Sequence, residues 1–235
     1  MKRFNRVVIK ISGEALAGEK RTGFDFDLIT SVCEVLRRAS EQGTQIALVI
    51  GGGNFWRGVK DGAGKVERVS ADRMGMLATC MNCIAVCDVL RQLGAKARVM
   101  TAVDIMGVGE RYDTRRAIEY LEAGEIVLFA GGSGAPFFST DTAAALRAAE
   151  IHADAILLAK NIDGVYSADP RKDASAVKFD SISYDEVLAR RLAVMDTTAT
   201  AIAMENGIPA AVFALADPEN ILRVLNGEAV GTLVK

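Results

Sequence analysis

The sequence predicts an α/β fold with three layers, in which helices cover both faces of a mostly parallel central sheet. Strand-like and helix-like segments alternate along most of the 235 residues, which is typical of repeated βαβ units. The strand-like segments are short apolar runs, as expected of strands buried on both faces. We predict a single domain over residues 1–235, with one lobe at about residues 1–150 and a second at about residues 151–235.

In the first half of the chain, each apolar run is followed by a turn and then by a helical pattern. Apolar residues with helical spacing predict a helix over residues 25–42, which stops at Gly43, and Gly124 closes a later one. Ser139 or Thr140 is expected to cap the helix that follows the strand at 126–130. The predicted strands are 7–12, 45–50, 96–100 and 126–130, and the predicted helices are 25–42, 72–93, 113–122 and 140–151.

The second half is less regular. Residues 163–173 include Asp169-Pro170 and predict turns. Ser183 and Glu186 form a capping box that opens a short helix. Asp217-Pro218 predicts an N-cap followed by proline at the first helical position. Strands are also predicted at 155–159 and 210–214, with a helix at 196–206.

The charge balance argues against nucleic acid as a partner. The chain has 28 Lys and Arg against 30 Asp and Glu, for a net charge of −2, whereas a duplex binder needs a basic surface. The apolar run at residues 7–9 is too short for a signal peptide, and no stretch of about 18 apolar residues predicts a membrane span. We therefore expect a cytoplasmic protein with no membrane partner.

Three of the four cysteines share one predicted helix face. Cys80, Cys83 and Cys87 are spaced i, i+3 and i+7, and the only histidine is the distant His152. A metal site is one interpretation, and a buried structural face is the other; the latter is favoured because free cysteine is commonly a small buried hydrophobe.

The ends of parallel strands meet at one edge of a sheet, where α/β proteins bind ligands. At the first such end, Lys10 lies inside an apolar strand and is followed by Ser12 and Gly13. The lysine either occupies an exposed face or the rim of the sheet, or it meets a phosphate group. The adjoining Ser12-Gly13 turn favours the phosphate.

The second strand ends on Gly51, Gly52 and Gly53. Three successive glycines let backbone N–H groups surround an anion with no side chain in the way. Arg57 follows closely, and its planar guanidinium could reach the same phosphates. A tight turn is the alternative, although a simple turn does not require three glycines.

A third glycine-rich segment, residues 131–134, follows the strand at 126–130. After it come a stiff apolar stretch at 136–138 and then hydroxyl groups and Asp141 at the start of a helix. Helix N-termini attract phosphate, whereas a purely structural Asp141 would only cap the helix. Neither G-x-x-x-x-G-K-[ST] nor G-x-G-x-x-G occurs, so the sequence does not predict a P-loop fold, and a dinucleotide site is disfavoured.

Taken together, these segments resemble the amino-acid-kinase superfamily and, within it, the bacterial UMP kinases. The resemblance spans nearly the whole chain in family order. The matching runs are KISGEAL at residues 10–16, VIGGGN at 49–54, RG at 57–58, DRMGMLAT at 72–79, PFFSTDTAA at 136–144, DGVYSADP at 163–170 and VMD at 194–196.

The resemblance implies an amino-acid-kinase-like fold and transfer of the γ-phosphoryl group of ATP to UMP, in pyrimidine nucleotide biosynthesis. It implies that Lys10 stabilises the transferred group, that Asp196 holds this lysine in place, and that Asp141 lies beside the reaction centre. Mg²⁺ is expected to arrive with ATP, and no metal ligand is predicted from the protein. The rival interpretations are a kinase of the same superfamily acting on a carboxylate or carbamate, and a nucleotide-binding regulator without turnover.

The resemblance also divides the ligand contacts between the two nucleotides, with UMP in the first lobe and ATP in the second. The implied ATP contacts are Lys10, Ser12, Gly13, Gly53, Arg57, Lys160, Tyr166 and Asp169. The implied UMP contacts are Gly52, Asp72, Ser133, Gly134, Ala135, Pro136, Phe137, Phe138, Ser139 and Thr140, with Asp72 on the ribose hydroxyls.

Two segments depart from the family pattern. Many members have Gly-Thr-Gly-Asn-Pro where this chain has GSGAP at residues 132–136, and residues 159–163 differ from the Lys-Ala-Thr-Lys form of some members. The family further implies a homohexamer and regulation by GTP and UTP, whose sites cannot be placed residue by residue.

Overall fold

The apolar runs of the sequence form the strands at the centre of the molecule. The computed structural model describes residues 4–20, 22–57 and 64–235. Over these ranges the strands are β1 Arg6–Ile11, β2 Gln45–Ile50, β3 Ala97–Thr101, β4 Glu110–Arg111, β5 Ile126–Ala130, β6 Ala155–Lys160, β7 Val165–Tyr166, β8 Lys178–Phe179, β9 Ser181–Ile182, β10 Ala210–Ala214 and β11 Thr232–Val234.

Most of the helices begin at a polar side chain that accepts a backbone N–H group of the first turn. Asp25, Asp113, Ser139, Ser183 and Asp196 all do so. The helices are α1 Gly13–Leu16, α2 Phe26–Glu41, α3 Arg68–Gln92, α4 Thr114–Glu122, α5 Thr140–Glu150, α6 Tyr184–Ala189, α7 Thr197–Glu205 and α8 Asn220–Leu225.

One continuous sheet joins both halves of the chain. In the described ranges its order is β4-β3-β5-β2-β1-β6-β10-β11-β9, and β7 and β8 form a separate antiparallel pair. Neighbouring strands of the large sheet run parallel except β10 and β11, which pair antiparallel. The predicted mostly parallel sheet is thereby confirmed.

Two hydrophobic clusters, one on each face of the sheet, make the structure three-layered. Helices α2, α3 and α8 pack on one face through residues such as Leu36, Leu90 and Ile221. Helices α4, α5, α6 and α7 pack on the other through residues such as Leu121 and Ala203. Burial of strands on both sides explains why their sequences are almost wholly apolar.

The structure differs from the sequence-based expectations in several elements. Helix α3 begins at Arg68, four residues before Asp72, so Asp72 is not a capping residue. The helix expected at Asp217-Pro218 begins only at Asn220, because a turn comes first, in which the Ile221 N–H donates to the Pro218 carbonyl. The C-terminal strand β11 was not predicted; its three residues are too few to show a pattern.

The cysteine face of α3 is buried in the core. All four cysteines are free and buried, and burial raises the pKa of each thiol, that of Cys33 to about 12. No group of three or more His, Cys, Asp or Glu residues that could hold a metal ion occurs in the described ranges. Helix α3 is long and apolar enough to cross a membrane by length and composition alone, but half of its most apolar window is buried inside this protein.

Candidate active site

The strand ends that were singled out in the sequence lie side by side. Ile11 is in register with Ile50 of β2 and with Ala159 of β6, and Val49 is in register with Phe129 of β5. The turns that follow β1, β2, β5 and β6 therefore meet at the carboxyl edge of the sheet. This edge is where a doubly wound α/β protein forms its ligand site.

Lys10 and Asp141 form an ion pair at this edge. The Nζ atom of Lys10 lies 2.7 Å from Oδ1 of Asp141, and the two side chains are only 11% and 16% exposed. The contact is an ion pair rather than a well-aligned hydrogen bond, since Oδ1 of Asp141 has no hydrogen-bond partner among the described residues. Ser139 caps α5, so Asp141 is not merely a cap.

Asp196 lies at the start of α7 and contacts hydroxyl groups rather than Lys10. Its carboxylate accepts the Ala199 N–H at 2.9 Å, the Thr142 hydroxyl at 2.9 Å and the Ser139 hydroxyl. Burial would raise the pKa of Asp196, but these hydrogen bonds and that from the Thr198 N–H outweigh it and lower the pKa. The expected contact that holds Lys10 in place is therefore made by Asp141, while Asp196 ties α7 to the start of α5.

Lys160, at the end of β6, lies among these charged residues. Its ammonium group donates to the Val194 carbonyl. The pKa of Lys160 is lowered, chiefly because its ammonium group is buried. The nearby charges of Asp141 and Asp196 act to raise this pKa, and that of Lys10 acts to lower it. The structure thus brings Lys160 to the Lys10–Asp141 centre, whereas the resemblance implied contacts with the base or ribose of ATP. The departure from the family pattern at 159–163 explains why the sequence could not place this side chain.

The first two glycine turns are packed too closely for side chains. A Cβ atom at Gly13 would lie 2.4 Å from the carbonyl oxygen of Gly51, and one at Gly52 would lie 2.8 Å from the Cβ atom of Ala78. Ser12 accepts the Ala15 N–H and so begins α1 directly after β1. Glycine is required at both positions, because Gly13 approaches the Gly51 backbone and Gly52 approaches helix α3 too closely for a side chain.

Arg57 extends beside the same loops. Its Nη2 atom lies 2.8 Å from Oε1 of Glu14, and its Nε–H donates to the Gly53 carbonyl at 3.3 Å. Gly58, the other half of the RG pair, lies outside the described residues. A buried amide pair supports the loop from below: Asn82 donates to the Gly51 carbonyl at 2.6 Å and to Asn54 at 2.8 Å.

A cavity of about 160 Å³ opens between the second and third glycine segments. It is lined by Gly52, Trp56, Ala71, Asp72, Gly75, Met76, Thr79, Gly132, Phe138, Ser139 and Thr140. A larger cavity of about 390 Å³, lined by Tyr184 and Leu233 among others, includes Pro209, just before β10 begins, and so lies at the opposite edge of the sheet. Of these two cavities, the smaller one adjoins the charged centre.

Asp72 lies on the wall of the smaller cavity and holds the apolar stretch at 136–138. Its Oδ2 atom accepts the Phe137 N–H at 2.7 Å and the Arg68 Nε–H at 2.8 Å. Phe137 has a φ of 74°, which is uncommon for a residue with a side chain. The hydrogen bond to Asp72 helps to hold this backbone conformation.

Ser133, Gly134, Ala135 and Pro136 form a tight turn beside this cavity. The Ser133 hydroxyl donates to the Ala135 carbonyl at 3.1 Å and accepts the Ala135 N–H at 3.2 Å. Phe137 and Phe138 are exposed, so the apolar stretch at 136–138 is not sheltered from water by the described residues of one chain alone.

Tyr166 and Asp169 are separate from the charged centre. The Tyr166 hydroxyl donates to Asp163 at 2.8 Å, and Asp169 forms an ion pair with Arg171. Tyr166 is in the short β7–β8 pair and Asp169 in the turn between them.

Several residues of this site were not predicted. Thr142 contacts Asp196, Thr79 accepts the Gly131 N–H at 2.9 Å, and the Trp56 indole donates to the Ala71 carbonyl at 2.8 Å. The threonines carried no isolated signal because they lie within predicted helices. Trp56 could have been predicted, because it is the only tryptophan of the chain and follows a glycine loop closely.

Comparisons with known proteins agree on one family. The profile of the amino acid kinase family matches residues 5–214. A uridylate kinase of Limosilactobacillus reuteri is 51% identical over 234 residues, covering 99% of this chain and 98% of the relative. A uridylate kinase of Streptococcus thermophilus is 52% identical over 233 residues, covering 99% and 95%. The crystal structure of UMP kinase from Bacillus anthracis has a TM-score of 0.95 at 36% identity, covering 99% and 96%.

Proposed function

This chain belongs to the amino acid kinase family, and on that premise we propose that it transfers the γ-phosphoryl group of ATP to UMP, giving UDP and ADP. The observation that carries the proposal is the buried Lys10–Asp141 pair, set between two glycine turns and beside a cavity with Asp72 on its wall. Phosphoryl transfer requires cations and backbone amides around the phosphates, and a carboxylate on the cavity wall can accept the hydroxyl groups of a ribose.

In phosphoryl transfer the protein mainly has to position the two nucleotides and neutralise the negative charge of the transferred group. The acceptor is already an anionic phosphate oxygen of UMP, so no general base is needed. Lys10 neutralises charge that spreads over the transferred phosphoryl group, and Asp141 fixes the lysine in direction. The loops at Gly13 and Gly51–Gly53 bring backbone N–H groups close to the phosphates, and Arg57 contributes a second cation.

We place UMP in the first lobe, residues 1–150, and ATP against the second, residues 151–235. Every residue that lines the 160 Å³ cavity belongs to the first lobe. Lys160 approaches the charged centre from the second lobe, which also contains Tyr166 and Asp169. The continuous sheet at β1–β6 joins the two lobes at the point of transfer.

Mg²⁺ is proposed to enter with ATP. Magnesium is commonly held by one or two carboxylates together with substrate phosphates and water. Asp141 pairs with Lys10, and both Asp141 and Asp196 act on the charge of Lys160, so the donor set fits. When bound, the ion supplies positive charge to the phosphate oxygens. Asp141 positions Lys10, and Asp196 positions the hydroxyl groups of Ser139 and Thr142.

We further propose a cytoplasmic homo-oligomer, a hexamer as the family implies, in pyrimidine nucleotide biosynthesis. An exposed apolar stripe on α3 supports association, because Met74, Leu77, Met81 and Ile84 recur with helical spacing on one face. GTP and UTP are proposed as effectors by family resemblance alone.

An ADP-release assay with UMP, CMP, AMP, acetylglutamate and aspartate as acceptors tests the function. We expect turnover with UMP far above that with the other acceptors. Turnover with a carboxylate instead would establish a different kinase of the family, and no turnover with any acceptor would favour a non-catalytic binding protein.

A further inference from the structure

Arg68 touches two residues of the acceptor site without lining its cavity. Its Nε–H donates to Oδ2 of Asp72 at 2.8 Å, and its guanidinium carbon lies 5.1 Å from the centre of the Phe137 ring. The Phe137 N–H donates to the same Oδ2 atom at 2.7 Å. One carboxylate, one arginine and one loop residue thus form a closed set of contacts.

These contacts fix the direction of the Asp72 carboxylate. Both donors act on Oδ2, and among the described residues none acts on Oδ1. The Asp72 side chain is only 15% exposed and lies on the cavity wall. A carboxylate held at one oxygen keeps the other available as an acceptor for a ligand hydroxyl.

Helix stability does not account for an arginine here. Arg68 is the first residue of α3, and Glu67 before it makes no side-chain cap. A cation at a helix N-terminus opposes the helix dipole, and an arginine four residues before an acid is the less favourable order for such a pair. A residue without positive charge at this position would stabilise α3 more.

We propose that Arg68 is a positioning residue that orients Asp72 toward the ribose of the acceptor and thereby sets the preference for UMP over its 2′-deoxy analogue. This inference rests on the proposed function. Arg68 also restrains Phe137 through its ring, so the loop and the carboxylate are held together. Loss of the guanidinium frees the carboxylate to rotate, and the ribose hydroxyl then loses a well-placed acceptor.

The test compares kcat/KM for UMP and dUMP in wild type, Arg68→Ala, Arg68→Lys and Asp72→Ala. We expect Arg68→Ala to raise the KM for UMP by about tenfold with little change in kcat, since one charge-assisted hydrogen bond is at stake. The KM for dUMP should rise clearly less, because dUMP lacks the 2′-hydroxyl and has less contact with the carboxylate to lose. The ratio of kcat/KM for UMP to that for dUMP (the UMP/dUMP ratio) should approach that of Asp72→Ala. Arg68→Lys, which keeps the charge, should restore part of the wild-type preference for UMP. In an Asp72→Ala background, Arg68→Ala should change the ratio no further.

Arg37→Ala is the matched control, because Arg37 makes an i,i+4 ion pair with Glu41 on α2, outside the site. It should leave both substrates unchanged. A purely structural role for Arg68 would lower the melting temperature of Arg68→Ala while its UMP/dUMP ratio stayed at the wild-type value, and that result would overturn the inference. A wild-type protein that does not phosphorylate UMP would instead overturn the proposed function, and the inference with it.

Discussion

The ammonium group of Lys10 lies 2.7 Å from the carboxylate of Asp141, although the two residues are 131 positions apart in the chain. Strand β1 places the lysine and the first turn of α5 places the aspartate. Because both side chains are largely shielded from water, Asp141 holds the ammonium group of Lys10 in a fixed position where the glycine turns converge. This relationship is the basis of the first prediction.

Lys10→Ala should leave a folded protein with kcat reduced by about a hundredfold or more, the usual cost of removing one group that stabilises a transition state. Steady-state kinetics and a melting curve measure the two effects separately. Lys96→Ala, at an exposed position just before β3, is the control and should keep full activity. Near wild-type turnover in Lys10→Ala would rule out the catalytic role.

Asp72→Ala should chiefly raise the KM for UMP and change the KM for ATP little. Asp72 lies on the acceptor cavity, away from Lys160 and the second lobe. Since Asp72 is the fifth residue of α3, its loss removes no helix cap. Kinetics with each substrate varied in turn check this; equal changes in both KM values would mean that Asp72 supports the whole site rather than the acceptor.

Asp196→Asn should destabilise the protein at neutral pH but not in acid. Because the hydrogen bonds to its carboxylate lower its pKa in the folded state, the stability that it contributes is present above the unfolded pKa of about 4 and is lost as the pH falls through the folded value. The free energy of unfolding of wild type and variant should therefore converge below about pH 4.

Asp113→Asn, which alters the cap of α4, is the control for loss of charge at a helix N-terminus. If the difference in the free energy of unfolding between wild type and Asp196→Asn persisted unchanged at pH 3, the loss of stability would result from altered packing or hydrogen-bond geometry and not from the lost charge.

UMP should be preferred over CMP by at least about a hundredfold in kcat/KM, because a site that pairs with one base edge leaves its own groups unpaired with the other. Ser133 is the side chain expected to read that edge. Among the described residues, its hydroxyl bonds within its own turn, to Ala135, so binding of a base must exchange these contacts. Comparable efficiency with CMP would indicate a broader pyrimidine kinase.

Ser133→Ala separates the hydroxyl from the backbone. A smaller difference in kcat/KM between UMP and CMP in this variant, with measurable turnover of UMP, would show that the hydroxyl group discriminates between the two bases. An unchanged gap would assign it to the backbone groups of residues 134–138.

Much of the fold could be predicted because burial on both faces leaves a strong pattern. The strands at 45–50, 126–130 and 210–214 have the predicted bounds, and Ser139 caps α5 as one of the two expected residues. Short strands such as β4 and β9 were missed, since two residues with no periodicity depend on neighbouring strands for their conformation.

The site was predictable where glycine marks a strand end, and less so where side chains meet across the sheet. The turns after β1, β2 and β5 were located from their glycines. That Asp141 rather than Asp196 would pair with Lys10 depends on how α5 and α7 lie together, which is a property of packing and not of either sequence motif. Arg68 gave no signal because an arginine before a long helix resembles any surface residue.

The central claim is that Lys10 promotes transfer of the ATP γ-phosphoryl group to UMP, and phosphorus NMR of the reaction mixture tests it most directly. With ATP, Mg²⁺ and UMP, wild type should consume UMP and form the two phosphorus signals of UDP together with those of ADP, at equal rates. Lys10→Ala, verified as folded, should form both products at least about a hundredfold more slowly. ADP that appears with inorganic phosphate instead of UDP, or UDP formed by Lys10→Ala at the wild-type rate, would contradict the account.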